Sequence, residues 1–299
     1  MRVISLDMID FCKLGFGTWG FGGMAEPNPE NDDVADIKTI RYAIEKGLTH
    51  IDTAERYATG KTEEIVGRAI KPFKRESLFI ASKVYPNHLG YKDVIKSCKA
   101  SLKRLGVKYL DLYYIHFPNH DIPYAETGRA LNELLDKGLI RRVGICNATI
   151  DTIKKYQEYI RVPFFAMQNH YNLIVRESVT KGVIDYCREN NILFFAWRPI
   201  QLPAPGLGIE SLAKVGAYPL LDKIAKKYGK TNAQIAVRWL TQQDGVHTLF
   251  KSSNPKHIDE VLETGDFELS EKDMTDLSKN FVPQKDCGFG TKGDMMPLC

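Results

Sequence analysis

From residue 13 onward, short apolar runs alternate with stretches of helical periodicity, and the alternation returns about every 30 residues, the length of one strand–helix unit. Runs such as Leu78 to Ala81 and Ile192 to Ala196 are apolar throughout rather than at every second residue. A strand reads this way when both of its faces are buried, as in a parallel sheet covered by helices. Eight strands are expected: Lys13 to Trp19, Leu48 to Asp52, Leu78 to Lys83, Tyr109 to His116, Ile140 to Cys146, Phe164 to Gln168, Ile192 to Trp197 and Val246 to Lys251. Eight such units close into an α/β fold, the (β/α)8 TIM barrel, with an open doubly wound sheet as the alternative.

Between the strands the spacing predicts helices over 33–46, 62–70, 93–105, 124–137, 151–159, 177–190, 220–228, 231–243, 255–263 and 270–279, which places an extra helix before strand eight. Gly47 and Gly106 end two of them, and Thr62, followed by Glu63 and Glu64, opens another where the helix dipole favours acids. The residues before Lys13 are expected to form an N-terminal hairpin across one end of the barrel. No spacing suggests a second domain, so residues 1–299 read as one barrel, with 199–216 as a long loop. The irregular C-terminal tail, 281–299, is either a lid over the barrel mouth or disordered: Phe289, Met295, Met296 and Leu298 could pack, while its glycines favour disorder.

Composition removes several classes. A formal net charge of +4, evenly spread, is too mild for a nucleic-acid or lipid surface, though acidic or phosphorylated small ligands remain open. Six scattered cysteines without a Cys-x-x-Cys pair read as reduced thiols. No run has signal-peptide character or approaches the roughly 18 apolar residues of a membrane span, so a soluble cytoplasmic protein is expected. Asn147-Ala148-Thr149 matches a glycosylation pattern that means nothing without a secretory route.

Three motifs fail on context. Gly15 to Gly20 spells G-x-G-x-x-G, but Gly22, Gly23, Pro27 and Pro29 prevent the helix that a dinucleotide fingerprint must open. Gly60-Lys61-Thr62 resembles the end of a P-loop, yet its first glycine would have to stand where Glu55 does. His116 and His120 are four apart with Pro118 between them, which disfavours one helical metal face, and no Cys or His cluster has zinc spacing; no metal is expected.

One constellation does carry chemistry. Asp52, Lys83 and His116 end three consecutive strands, and Tyr57 lies in the loop after the first, which is the active face of such a barrel. Taken singly, each has an ordinary reading as a cap, a strand-end lysine, a rim aromatic or a core histidine. Together they form an acid–base set. A carbonyl receiving hydride needs a proton on its oxygen, and tyrosine, with a pKa near 10, is a reluctant donor. A Lys ammonium close by is expected to lower that pKa, a buried Asp to keep the Lys charged, and a neutral His to polarise the carbonyl.

Asp52-Thr53-Ala54-x-x-Tyr57, Lys83 and His116 at these intervals resemble the tetrad of the aldo-keto reductases, and the likeness covers almost the whole chain. Gly17-Thr18-Trp19, Asn147, Gln168-Asn169 and Lys251-Ser252-Ser253-Asn254-Pro255 agree with it. The resemblance implies a barrel that binds NADPH, with NADH possible, extended across its mouth. It implies that Cys146, Asn147 and Gln168 hold the carboxamide and that Trp197 stacks on the nicotinamide. It further implies that Lys251, Ser252 and Asn254 grip the 2′-phosphate. Gly17, Thr18, Trp19, Asp52, Ser253, His257 and Glu260 complete the implied cofactor contacts.

Departures from the family pattern are local. Arg198 stands where a Ser is usual and could clamp the pyrophosphate or alter the cofactor path. His257 replaces a frequent Arg, Val261 a frequent Asn, and Cys146 a usual Ser. Trp19, Phe117 and Tyr85, the last in place of a frequent Trp, are the implied substrate contacts and would wall an apolar mouth. The expected activity is NADPH-dependent reduction of a small-molecule aldehyde or ketone by a monomer. Its alternatives are a non-catalytic cofactor-sensing or structural barrel subunit, and a lyase using Lys83 in a Schiff base.

Overall fold

The computed structural model describes residues 13–200 and 210–281. The expected N-terminal hairpin, the centre of the loop 199–216 and all of the tail beyond Phe281 lie outside the described residues.

Eight strands, β1 (Leu14–Gly17), β2 (His50–Asp52), β3 (Phe79–Val84), β4 (Leu112–Ile115), β5 (Val143–Cys146), β6 (Ala166–His170), β7 (Leu193–Trp197) and β8 (Val246–Phe250), pair in parallel and in sequence order. The pairing of Phe16 with Phe250 closes them into a barrel. The helices are α1 (Asp33–Glu45), α2 (Lys61–Ile70), α3 (Tyr91–Leu105), α4 (Tyr124–Asp136), α5 (Ile150–Gln157), α6 (Glu177–Thr180), α7 (Val183–Glu189), α8 (Pro219–Tyr228), α9 (Asn232–Thr241), α10 (Pro255–Leu262) and α11 (Glu271–Lys279). Both α8 and α9 precede β8, so the additional helix stands where expected.

Side chains of successive strand residues point to opposite faces, and that period of two builds the site. Phe79, Ala81, Leu112, Tyr114, Cys146, Ala166, Phe195 and Leu249 form one cluster inside the barrel. Ile80, Tyr113, Val143, Met167 and Phe194 belong to the larger core packed between strands and helices. Two residues beyond Ala81, Tyr114, Ala166, Phe195 and Leu249 stand Lys83, His116, Gln168, Trp197 and Lys251. Inward phase at the C-terminal strand ends therefore brings all five to one rim.

Two helical segments differ from expectation. The single helix expected over 177–190 is two, α6 and α7, because Gly182 has φ +69 and breaks the helical path. Thr62 does not open α2. Gly60 precedes its first residue, and the buried Thr62 hydroxyl donates to the Phe21 carbonyl at 2.7 Å. Glu63 stands in the first turn as expected, and its fully buried carboxylate accepts from Ser82 Oγ at 2.6 Å and Arg104 Nε at 2.7 Å. Ser82 points outward between Ala81 and Lys83, so this pair ties β3 to α2 and α3 directly behind the site.

Candidate active site

Lys83 is the hub. Its Nζ lies 2.5 Å from Asp52 Oδ1 and donates to the Thr53 carbonyl at 3.0 Å and the Tyr57 hydroxyl at 3.2 Å. Asp52 reaches it because its register partner is Ala81, two residues before Lys83 on the same face of β3. Asp52 Oδ2 accepts from Gln168 Nε2 at 3.0 Å, so both carboxylate oxygens have partners.

Tyr57 enters by a different route. It begins a tight turn, Tyr57–Gly60, in which Ala58 and Thr59 have φ of 44° and 50°. Asn147, directly after β5, and Arg198, directly after β7, also have positive φ, each at 53°. Four of the five described non-glycine residues in that region thus border the barrel mouth, where strained backbone is commonly tied to function.

The ring of Tyr57 stands edge-on between Trp19, 4.9 Å away, and His116, 5.7 Å away, and His116 stacks on Phe117 at 4.9 Å. Tyr85 joins this wall through the Arg56 guanidinium, 5.6 Å from its ring. The three residues implied as substrate contacts therefore line the same mouth as Tyr57 and His116.

Electrostatics correct one expectation. Burial pushes the Tyr57 phenol up to about 12, and the neighbouring Lys83 ammonium offsets this only in part. Lys83 moderates the shift rather than reversing it, because the phenol loses more water than one cation replaces. Burial alone would depress the Lys83 ammonium, yet Asp52, with Tyr57 and Cys146, holds it above its ordinary value. Burial, helped by the Lys83 and Arg56 charges, keeps His116 well below its ordinary value and therefore neutral. The site accordingly combines a protonated phenol, a charged lysine and a neutral imidazole.

The implied cofactor residues are assembled, though several are already engaged. Asn147 Nδ2 donates to the His116 carbonyl at 3.0 Å, and its Oδ1 accepts from the Trp197 indole at 3.1 Å. Gln168 is bound to Asp52 as described, and Cys146, its register partner, is buried beside it. Trp197 is partly exposed, with the Arg198 guanidinium 5.4 Å from its ring centre. Gly17 pairs with Asp52, and Thr18 Oγ1 donates to the Asp52 carbonyl at 2.9 Å, so both hold β1 against β2.

After β8, Ser252 Oγ accepts from Asn254 N–H at 3.0 Å, and Asn254 caps α10 by accepting from Lys256 N–H at 3.1 Å. Ser253 is exposed on this turn, and on α10 His257 is exposed and Glu260 half-buried. Lys251 lies 4.4 Å over the Phe21 ring. A cation, hydroxyls and a capped helix start are chemistry that suits a phosphoryl group, and a partly exposed indole suits a nicotinamide face, so these residues fit the implied dinucleotide. Val261 is buried in the core and does not present itself to an adenine.

Reading motifs alone missed His170, Asn172 and Glu55. His170 shares the inward phase of Gln168 on β6, which period-two counting could have found. Glu55 accepts from Tyr85 N–H at 2.7 Å and contacts His88 Nδ1 at 3.0 Å, linking the loop that bears Tyr57 to the aromatic wall. That cross-loop contact has no signature in the sequence. Among the described residues no group of three or more His, Cys, Asp or Glu is placed to hold a metal, and no helix is long and apolar enough to cross a membrane.

The model of the aldo/keto reductase family matches residues 13–280. A relative named glyoxal reductase from Bacillus subtilis (strain 168) is 35% identical over 247 residues, covering 82% of this chain and 83% of its own. Among solved structures, the thermostable aldo-keto reductase Tm1743 in complex with the inhibitor epalrestat superposes with a TM-score of 0.82 at 37% identity, covering 89% of this chain and 94% of its own. An aldo/keto reductase from Klebsiella pneumoniae in complex with NADP and acetate gives 0.79 at 30% identity, over 92% and 93% of the two chains.

Proposed function

The chain belongs to the aldo/keto reductase family, and from that premise we propose that it reduces small aldehydes or ketones to alcohols with NADPH, Tyr57 serving as general acid. The observation that carries this reading is the placement of Lys83 Nζ between the Asp52 carboxylate and the Tyr57 hydroxyl, 2.5 Å and 3.2 Å away.

When bound, the nicotinamide supplies hydride to the carbonyl carbon. The protein supplies the proton and the charge. Tyr57 remains protonated at neutral pH and gives up its proton as negative charge grows on the carbonyl oxygen. Lys83, kept charged by Asp52, stabilises the phenolate as it forms, so its effect is larger in the transition state than in the ground state. Neutral His116 donates to or orients the same oxygen without competing for the proton. Trp19, Phe117 and Tyr85 would take the substrate's apolar part, Trp197 would hold the nicotinamide, and Cys146, Asn147 and Gln168 would bind its carboxamide. Arg198 would hold the pyrophosphate. Lys251, Ser252, Ser253, Asn254 and His257 would hold the 2′-phosphate, which would favour NADPH over NADH.

The name of the glyoxal reductase relative supports small, electron-poor aldehydes as the first substrates to try. A Schiff-base role for Lys83 is disfavoured, since a nucleophilic amine must be neutral and Asp52 holds this one charged. The deciding experiment follows the absorbance of NADPH, and separately NADH, with purified protein and an aldehyde panel that includes glyoxal. Oxidation faster with NADPH supports the reading. Binding without turnover on any carbonyl would favour a cofactor-sensing subunit.

A further inference from the structure

His170 is fully buried at the end of β6, where its register partner on β7 is Trp197. Its imidazole lies nearly parallel to the indole, with centroids 4.3 Å apart and planes 18° apart. Asn172, also fully buried, fixes this arrangement. Its Oδ1 accepts from the N–H groups of Ile174 and Val175 at 2.8 Å each, which sets the orientation of the amide. Nδ2 therefore faces the other way, donating to the Arg198 carbonyl at 2.9 Å and meeting His170 Nε2 at 3.2 Å. The indole is held twice, through its face by His170 and through the following backbone, where Arg198 has φ +53.

We propose that His170 is a positioning residue that sets the plane of Trp197 for the nicotinamide ring, with Asn172 locking both His170 and the turn at Arg198. This rests on the function proposed above. Stacked aromatic pairs favour a defined offset, and a partner fixed on one face limits tilt of the ring that must receive a ligand. Because the Trp197 indole N–H also reaches Asn147, which in turn bonds to the His116 carbonyl, tilting Trp197 would loosen the cofactor and carbonyl sides together.

The test is equilibrium binding of NADPH, followed by nucleotide fluorescence, for wild type, His170→Ala, His170→Phe, Trp197→Ala and the Trp197→Ala/His170→Ala double variant. Thermal unfolding checks that each variant is folded. His170→Ala should weaken binding roughly tenfold, and His170→Phe, which keeps a stacking ring, should stay within about threefold of wild type. In the Trp197→Ala background the His170 substitution should cost less than about twofold, since both act through one contact. Unchanged binding by a folded His170→Ala, an equal loss in the Trp197→Ala background, or no rescue by phenylalanine would each overturn the inference while leaving the reductase reading intact. Absence of NADPH and NADH binding by wild type would overturn that reading, and this one with it.

Discussion

Lys83 and Asp52 form an ion pair across the β2–β3 ladder with side-chain exposures of 0% and 3%. Two charges so deep in the barrel are tolerable only while each neutralises the other and the remaining polar atoms are bonded. Thr53, Tyr57 and Gln168 supply those bonds. Burying such a pair is weak support for stability, and it holds a cation 3.2 Å from the Tyr57 hydroxyl.

Lys83→Met should therefore destabilise the fold by about 3–5 kcal/mol, because the Asp52 carboxylate is left buried without its cation. Adding Asp52→Asn should recover most of that loss, while turnover stays abolished in both variants. Denaturant midpoints and steady-state rates measure the two effects separately. A double variant no more stable than Lys83→Met would contradict the pairing argument.

Tyr57→Phe removes one hydroxyl from a ring held by Trp19 and His116. Aldehyde reduction should fall by about 10²- to 10⁴-fold, the usual loss for a general acid, with NADPH affinity nearly unchanged. Wild-type turnover in this variant would remove Tyr57 from its role.

Lys251→Ala tests the cofactor side. The KM for NADPH should rise roughly tenfold and that for NADH hardly at all, as expected for a charge-assisted contact to a phosphate. Equal effects on both nucleotides would place the 2′-phosphate elsewhere.

His50 predicts an acid-sensitive fold. Burial between the edges of Phe79 and Phe195, with the Lys83 charge adding to it, lowers its pKa to about 3. The unfolded chain takes up this proton near pH 6.5. The stabilisation is thus complete above pH 6.5 and is lost as pH falls from there toward 3. Between pH 7 and pH 5 the loss from this residue is up to about 2 kcal/mol, and His50→Gln should show a shallower decline in urea midpoint over the same range. Parallel declines would assign the acid sensitivity to other groups.

Gly67 opposes helix propensity to packing. In the middle of α2, alanine would ordinarily be the better residue by about 1 kcal/mol. Here a Cβ would stand 2.6 Å from the Arg104 carbonyl oxygen and 2.8 Å from that of Leu105. Gly67→Ala should destabilise by about 1–3 kcal/mol as α2 and α3 are pushed apart. A raised melting temperature would show that the helices yield at no cost.

The barrel was legible from the sequence because burial on both faces writes a strand as a continuous apolar run, and because helix and strand periods differ. The same regularity located the rim, since Asp52, Lys83 and His116 each stand at or beside the C-terminal end of a strand. What the sequence left open were features that depend on contacts across loops and layers. The burial of Thr62 and Glu63 and the Glu55 contact to Tyr85 each pair residues from separate elements, and no local period records such a partner; the break at Gly182 is a left-handed backbone turn that a glycine permits without compelling.

By itself the chain determined its eightfold alternation, the strand ends that face inward and the residue types gathered there, all of which follow from side-chain periodicity and hydrophobic burial. Tertiary structure alone decided the electrostatics and the second layer: that burial outweighs Lys83 at the Tyr57 phenol, that Asn147 and Gln168 are bonded to neighbouring site groups, and that His170 stacks on Trp197. These depend on how much water each group loses and on which atoms arrive within hydrogen-bond reach, quantities that exist only once the barrel has closed.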